Sequence, residues 1–160
     1  MSIVDCLLII DMQEDYVGNG RNQKRYPYRT AELIENINNR TAQYPKEAVI
    51  YITNKFFWER SKTEKELVKG LSVVSDHIFE KRKSSCFSNQ ELLNYLQKIG
   101  AKKLELVGVD GNYCVGCSAL DGVKKGFTIV CNQACIGIGN AERFSKVKWK
   151  LEKANVQFVH

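Results

Sequence analysis

The fold of this chain is set by the segment Gly108-Val109-Asp110-Gly111-Asn112-Tyr113-Cys114-Val115-Gly116-Cys117. The residues just before it, 104–109, form a short apolar run of strand type. The apolar residues after it recur at helical spacing until Gly126 stops the pattern. The pattern therefore predicts a strand, a sharp turn and a helix that begins at Cys114.

A thiol at a helix start has a distinctive environment. Free backbone N–H groups and the positive end of the helix dipole face the sulfur of Cys114, and both favour the thiolate. The same N–H groups can hold the negative oxygen that forms when sulfur attacks a carbonyl carbon. We therefore expect a nucleophile at Cys114, although an inert buried thiol is the ordinary role of a cysteine.

Length and composition predict one globular domain that spans residues 1–160. Hydrophobic residues make up 44% of the chain, which is enough for a substantial core. No apolar run approaches the ~20 residues of a membrane helix, and the N-terminal residues lack the pattern of a secretory signal. Six cysteines without such a signal are typical of reduced thiols, so the expected location is the cytoplasm.

The formal net charge of +6 and the pI near 9.0 are compatible with anionic ligands or nucleic acid. Lysine and arginine are nevertheless spread along the whole chain and mixed with acidic residues. Aromatic and basic residues do not alternate as they do in RNA-binding modules. The sequence therefore predicts a solvated basic surface, with neither a nucleic acid nor a membrane as partner.

Strand-like apolar runs alternate with amphipathic helical segments along the chain. The expected strands lie at 6–10, 48–53, within 73–80, and at 103–109, 127–132 and 155–159. The expected helices lie at 31–40, 61–69, 88–99, 114–125 and 141–153. Strands that are apolar throughout are typical of parallel sheets covered on both faces. The pattern predicts an α/β fold with three layers, α/β/α, around a mostly parallel, about six-stranded Rossmann-like sheet.

Three chemically capable residues, Asp11, Lys81 and Cys114, follow the carboxyl ends of expected strands. That edge of a parallel sheet is where ligands bind, so we expect the three side chains to meet. Asp11 can take the thiol proton and return it to a leaving group, and the sulfur can form an acyl intermediate. Lys81 can stabilise both negative charges, although Lys81-Arg82-Lys83 is also what a basic surface turn looks like.

Aromatic residues near these strand ends are candidates for a substrate-binding wall. They suggest a small, flat or apolar small-molecule substrate, and simple packing or a contact with a neighbouring subunit is the alternative. The candidates are Tyr16, Phe56, Phe57, Trp58 and Tyr113.

Taken in order, three motifs resemble the isochorismatase-like cysteine hydrolases, which include nicotinamidases and related amidases. The first is the apolar run 7–10 with the Asp-x-Gln of Asp11 and Gln13. The second is Lys81, six residues before Phe87, and the third is the segment from Gly108 to Gly126. The resemblance covers nearly the whole chain. It implies a catalytic triad of Asp11, Lys81 and Cys114 that hydrolyses a C–N amide bond of a small molecule through a thioacyl-enzyme intermediate.

The resemblance also implies features that the residues alone do not show. A cis peptide bond is expected between Val109 and Asp110, with the amides of Asp110 and Cys114 forming an oxyanion hole. Oligomers are common in the family, so a homo-oligomer is expected.

One departure from the family concerns metal binding. Metal-binding nicotinamidases carry an Asp-x-His and a further His after the second strand, whereas this chain reads Asn54-Lys55-Phe56-Phe57-Trp58 there. The histidines, His77 and His160, fall outside that motif. The sequence therefore predicts no metal and no other cofactor, and nicotinamide does not follow as the substrate. Asp110 and Gly111 also replace residues that are commonly apolar and threonine in the family.

Two other functions remain open. Cys114 and Cys117 have thioredoxin-like spacing, which would suit a redox protein, and with Cys131 and Cys135 they could complete a zinc site. Alternatively, the chain is a non-catalytic family member that acts as a binding protein, since fold alone does not establish activity.

Overall fold

The computed structural model describes residues 4–60 and 64–160. The strands are β1 Cys6–Ile10, β2 Val49–Asn54, β3 Ile78–Lys81, β4 Lys103–Val109, β5 Thr128–Gly137 and β6 Gln157–Val159. The helices are α1 Glu14–Val17, α2 Thr30–Thr41, α3 Gln90–Lys98, α4 Cys114–Lys124 and α5 Ala141–Lys153. The strands form one sheet in the order β3-β2-β1-β4-β5-β6, and all neighbouring pairs are parallel.

Side chains alternate across the sheet and build a separate core on each face. In β1, Leu8 and Ile10 pack with residues of α3 and α4 on one face. Leu7 and Ile9 pack with residues of α2 on the other face. Both faces of the strands are therefore covered by helices, and the expected three-layer α/β/α fold with a Rossmann-like parallel sheet is confirmed.

The expected helix at 61–69 is wrong over residues 64–69, and residues 61–63 lie outside the described part. The chain instead runs beside residues 12–14, where Val68 N donates to Met12 O at 2.9 Å and Glu14 N donates to Glu66 O at 2.9 Å. Leu67 also forms an antiparallel bridge with Gln13. These long-range backbone hydrogen bonds outweigh a local helical preference, which is weak in a segment this short.

The helices of the described residues lack the length and apolar character needed to span a membrane. The sequence likewise contains no apolar run of that length.

A buried ion pair ties α2 to the middle of the sheet. The fully buried carboxylate of Glu105 in β4 accepts from Arg40 Nη2 at 2.6 Å and from Arg40 Nε at 2.8 Å. The Tyr44 hydroxyl donates to the same carboxylate at 2.8 Å. Hydrogen bonds of this number and geometry are what a buried charge requires to be tolerated.

Replacing Arg40 by methionine is expected to lower the free energy of unfolding by about 3 kcal/mol, because Glu105 would remain as an uncompensated buried charge. Urea denaturation at pH 7 measures the effect. Arg29→Met is the matched control, since its ion pair with Glu32 is exposed at the surface and should contribute almost nothing. Equal stability of the Arg40 variant and the native chain would contradict this role of the ion pair.

Candidate active site

The three sequence-predicted residues lie at one edge of the sheet. Asp11 directly follows β1, Lys81 is the last residue of β3, and Cys114 is the first residue of α4, reached from β4 through a short turn. The strands β1 and β4 are neighbours at the point where the strand order reverses. A crevice at this switch point is the usual ligand-binding position in parallel α/β sheets.

The Lys81 ammonium group joins the three side chains. Its Nζ atom donates to Asp11 Oδ2 at 3.2 Å, to Asn54 Oδ1 at 2.9 Å and to Cys114 Sγ at 3.3 Å. The Lys81 side chain is fully buried, and the Asp11 side chain is 2% exposed. These three contacts use the three N–H donors of the ammonium group. The alternative of a basic surface turn therefore does not apply to Lys81.

Tight backbone packing sets the position of Asp11. Asp11 has a left-handed φ of 55°, which is uncommon for a residue other than glycine. Opposite it, Gly108 has a φ of 114°, and a Cβ atom there would collide with the Ile10 carbonyl. Glycine at 108 therefore lets β4 approach the end of β1 closely, which brings Asp11 and the residues after β4 to the same edge of the sheet.

Burial dominates the ionisation of the acid and the thiol. It raises the pKa of Asp11, with the Lys81 charge acting in the opposite direction. Burial, followed by the Asp11 charge, raises the pKa of Cys114 to about 12, and Lys81 opposes this. The direction for Cys114 is opposite to the expected thiolate, because these effects outweigh the attraction of Lys81. At neutral pH the sulfur therefore carries a proton that a base must remove.

Asp11 offers a place for that proton. Its Oδ2 atom accepts from Lys81, whereas its buried Oδ1 atom has no hydrogen-bond partner among the described residues. A buried acceptor without a partner is costly and often marks a functional position. The geometry therefore leaves one carboxylate oxygen available for a proton or a substrate group.

Sequence analysis missed Asn54 as part of this site. The Gln13 side chain binds both backbone polar groups of Asn54. Its Oε1 accepts from Asn54 N at 2.8 Å, and its Nε2 donates to Asn54 O at 2.9 Å. Asn54 Nδ2 donates to the Tyr16 hydroxyl at 3.0 Å, which leaves Oδ1 to accept from Lys81. The available signal was its position at the carboxyl end of β2, the same position that singled out Asp11.

Residues 110–114, which we call the nucleophile turn after the predicted role of Cys114, connect β4 to α4. The peptide bond between Val109 and Asp110 is cis, which confirms what the family resemblance implied. Tyr113 N and Val115 N both donate to Asp110 O, at 3.0 and 3.1 Å. The amides of Asp110 and Cys114 donate to no acceptor in the part of the chain that the structure describes, so they are available to a ligand. Their role as an oxyanion hole stays a prediction.

The five aromatic residues predicted to bind substrate differ in exposure, with two at least half-buried and three exposed. Tyr16 is buried beside Asn54, and Phe56 is half-buried and stacks on Trp58 with ring centroids 4.3 Å apart. Phe57 and Trp58 are 78% and 59% exposed, and Tyr113 is 50% exposed. Contact between these five rings and a substrate stays a prediction.

Two further tyrosines near the site were missed. Tyr26 packs edge-on against Tyr16, with ring centroids 5.0 Å apart. The Tyr28 hydroxyl donates to Asp110 Oδ2 at 2.8 Å. Both lie in the loop between α1 and α2, and their spacing along the sequence carried no signal of this contact.

In the part of the chain that the structure describes, the residues do not form a metal centre of the kind described for the family. Both amide atoms of Asn54 are engaged, Oδ1 by Lys81 and Nδ2 by Tyr16, so its side chain is committed to these two contacts. Within residues 4–60 and 64–160, no group of three or more His, Cys, Asp and Glu side chains is placed to hold a metal ion. The six cysteines are free thiols, with Cys114 half-buried and Cys117 exposed.

Comparisons with known proteins place this chain among related folds. The family model of the Isochorismatase domain matches residues 5–159. A search of curated proteins finds no match. Three similar solved structures, at 20% identity or less, show likeness of fold alone.

One is PnC1 from L. infantum in complex with nicotinate, with a TM-score of 0.81 and 20% identity over 98% of this chain and 92% of that chain. Another is the pyrazinamidase of Pyrococcus horikoshii in complex with zinc, with a TM-score of 0.78 and 17% identity over 97% and 98% of the two chains. The third is the MAR1 ribonuclease from Caenorhabditis elegans, with a TM-score of 0.72 and 17% identity over 98% and 78%. Since the family model spans almost all of the sequence, the chain belongs to the isochorismatase family.

Proposed function

We propose that this chain hydrolyses a C–N amide bond of a small molecule through a thioacyl intermediate on Cys114. One observation carries the proposal: the buried Lys81 ammonium contacts both the Asp11 carboxylate, at 3.2 Å, and the Cys114 sulfur, at 3.3 Å. An acid, a cation and a thiol held together at a buried site are the groups that nucleophilic acyl transfer needs.

In the first half of the reaction, Asp11 takes the proton of the Cys114 thiol as the sulfur attacks the carbonyl carbon. The new C–S bond forms, and the carbonyl oxygen becomes an oxyanion that the amides of Asp110 and Cys114 are free to bind. Asp11 then gives the proton to the leaving nitrogen, the C–N bond breaks, and the amine or ammonia departs. A thioester on Cys114 remains.

In the second half, water replaces the departed amine. Asp11 removes a proton from the water as its oxygen attacks the thioester carbon, and the C–S bond then breaks. The proton returns to the sulfur and the carboxylic acid leaves. The sum is one amide and one water converted to one acid and one amine, with the site restored.

Lys81 supports this cycle electrostatically. Its contacts with Asp11 and Cys114 lower the cost of negative charge on either group inside a buried site, where such charge is expensive. Asn54 accepts the third hydrogen bond of the ammonium group and thereby fixes where Lys81 points.

Flat aromatic acyl groups are the substrate class that we infer. The solved relatives include a complex with nicotinate and a pyrazinamidase, and we expect Tyr16, Phe56 and Tyr113 to offer aromatic surface to such a group. Because the committed amide of Asn54 does not suit a metal ligand, we propose that the reaction uses no bound metal. A homo-oligomer and a cytoplasmic location stay predictions.

The test is a panel of small amides, including nicotinamide and pyrazinamide, with release of ammonia and acid as the readout. Turnover of at least one amide by the native chain, unchanged in Cys117→Ser, supports the hydrolase. A reversible Cys114–Cys117 disulfide without amide turnover would favour the redox alternative instead. Absence of both would favour a non-catalytic binding protein.

The pH profile of kcat/KM should fall on the acid side only. Because burial raises the pKa of Asp11, kcat/KM should fall as the pH drops through that raised pKa, which lies above the ordinary value of 3.8. The reactive form pairs ionised Asp11 with a protonated thiol, and the pKa of Cys114 is raised to about 12. The rate should therefore stay level up to roughly pH 10. A rate that keeps rising about tenfold per pH unit above pH 7 would indicate an unassisted thiolate and contradict the role of Asp11.

A further inference from the structure

The Asp110 carboxylate receives hydrogen bonds from three separate parts of the chain. Its Oδ2 atom accepts from the Tyr28 hydroxyl at 2.8 Å and from Gly139 N at 3.0 Å. Its Oδ1 atom accepts from Asn112 N at 2.8 Å.

The nucleophile turn is further tied to the segment that follows β5. Gly111 N donates to Gly137 O at 3.0 Å, and Asn112 Nδ2 donates to Asn140 O at 3.0 Å. A Cβ atom at position 139 would lie 2.9 Å from Asp110 Oδ2, so glycine at that position permits the close approach. Of the three donors to the Asp110 carboxylate, those of Gly139 and Asn112 are backbone amides. The Tyr28 hydroxyl is therefore the side-chain donor, and it joins Asp110 to the loop before α2.

We propose that Tyr28 is a positioning residue that acts through the Asp110 carboxylate to hold the nucleophile turn in the geometry required for acyl transfer. The inference deepens the proposed hydrolase function and rests on it. Tyr28 contacts Asp110 rather than the reacting atoms, so its effect reaches the oxyanion through the backbone of the turn.

The chemistry of the pair suits this role. Burial and the neighbouring Asp110 charge raise the pKa of the Tyr28 hydroxyl, so it remains a donor over the working pH range. A hydrogen bond from a neutral hydroxyl to a carboxylate is charge-assisted and stronger than a neutral one. Loss of this donor would leave Asp110 Oδ2 with the Gly139 amide alone and free the turn to shift.

Two reactions of the Cys114 sulfur distinguish a positioning role of Tyr28 from a general disruption of the site. Acylation of Cys114 by 4-nitrophenyl acetate builds negative charge on a carbonyl oxygen and needs the amides of the nucleophile turn. Alkylation by iodoacetamide displaces iodide at a saturated carbon and forms no oxyanion. A displaced turn therefore slows the first reaction and leaves the second unchanged.

The decisive variant is Tyr28→Phe, which removes the hydroxyl and keeps the ring. Intact-mass measurement should show Cys114 acetylation slowed by about tenfold, the order expected for one charge-assisted hydrogen bond, and iodoacetamide alkylation within about twofold of the native rate. The matched control is Tyr51→Phe. The Tyr51 hydroxyl donates to Ser72 O at 2.6 Å and accepts from Val74 N at 2.9 Å, so its loss should change neither rate.

A double-variant cycle supplies the second measurement. Asp110→Asn keeps the shape of the side chain but turns an N–H group toward one of its donors, so it should also slow acetylation selectively. If Tyr28 acts through Asp110, the double variant should be about as slow as Asp110→Asn alone, since groups that act as a unit are not additive. Additive losses would overturn the inference.

The remaining outcomes are also informative. Native acetylation rates in Tyr28→Phe, or an equal fall of acetylation and alkylation, would overturn the positioning role of Tyr28. Failure of the native chain to acetylate at Cys114 would instead contradict the hydrolase proposal itself, and the inference with it.

Discussion

Replacing Cys114 by alanine should lower kcat for amide hydrolysis by about 10⁴-fold or more, the scale on which loss of a covalent nucleophile acts. The thioacyl route has no substitute for the sulfur, because Asp11 and Lys81 contribute a proton acceptor and a charge but no nucleophile of their own. Ammonia release by the purified variant, with the amide found in the panel, measures the effect.

The matched control is Cys117→Ala, a thiol on the same helix that is exposed rather than in contact with Lys81. This variant should keep native kcat and KM. Thermal unfolding should show both variants folded. Turnover in Cys114→Ala within about tenfold of the native rate would mean that the sulfur is not the nucleophile.

Replacing Asp11 by asparagine should lower kcat by about 10³-fold, within the range for loss of a general acid–base group. The amide side chain can still accept from Lys81, but it can neither take the thiol proton nor return it to a leaving nitrogen. KM should change little, since asparagine has nearly the same size and shape as aspartate.

The same variant should change the thiol in the opposite sense. The Asp11 charge is one cause of the raised pKa of Cys114, and Lys81 opposes it. Removal of that charge should lower the pKa of Cys114. Iodoacetamide should therefore alkylate the Cys114 sulfur faster at pH 8, while amide turnover is lost. Asp76→Asn, at a fully exposed carboxylate, should alter neither reaction. Faster turnover, or slower alkylation, in the Asp11 variant would contradict the proposed proton transfer.

Local sequence patterns were sufficient for the sheet and for the three central residues. The apolar run at 6–10 and the mixed apolar run at 103–109 matched β1 and β4 residue for residue. Once strands were expected to be parallel, Asp11, Lys81 and Cys114 were expected at one edge because each follows the carboxyl end of a strand. That argument identified Asp11, Lys81 and Cys114 without knowledge of any contact between them.

What the sequence did not reveal depends on contacts between distant segments. The helix expected over 61–69 is wrong in its described part because backbone hydrogen bonds to residues 12–14 replace those of a helix. Asn54 and Tyr28 gained their roles only through partners 27 and 82 residues away. The raised pKa of Cys114 depends on burial, which a helix-start pattern does not report.

The fold also accounts for the choice of glycine at 108. Among the glycines of the described residues, its positive φ alone coincides with a backbone approach that a side chain would block. The close approach of β4 to β1 helps to bring the Asp11 carboxylate and the Cys114 sulfur within reach of one lysine. The chemistry that we propose is therefore a consequence of strand order and strand spacing.

The central claim is that an acyl group passes through the sulfur of residue 114. Its most direct test is rapid quenching of the native chain during turnover of an amide, followed by intact-mass measurement and peptide mapping. We predict an acyl adduct on the peptide that contains Cys114, formed before the free acid appears and lost at the rate at which acid is released. Release of acid with no adduct on that peptide, or with the adduct on another cysteine, would contradict the account.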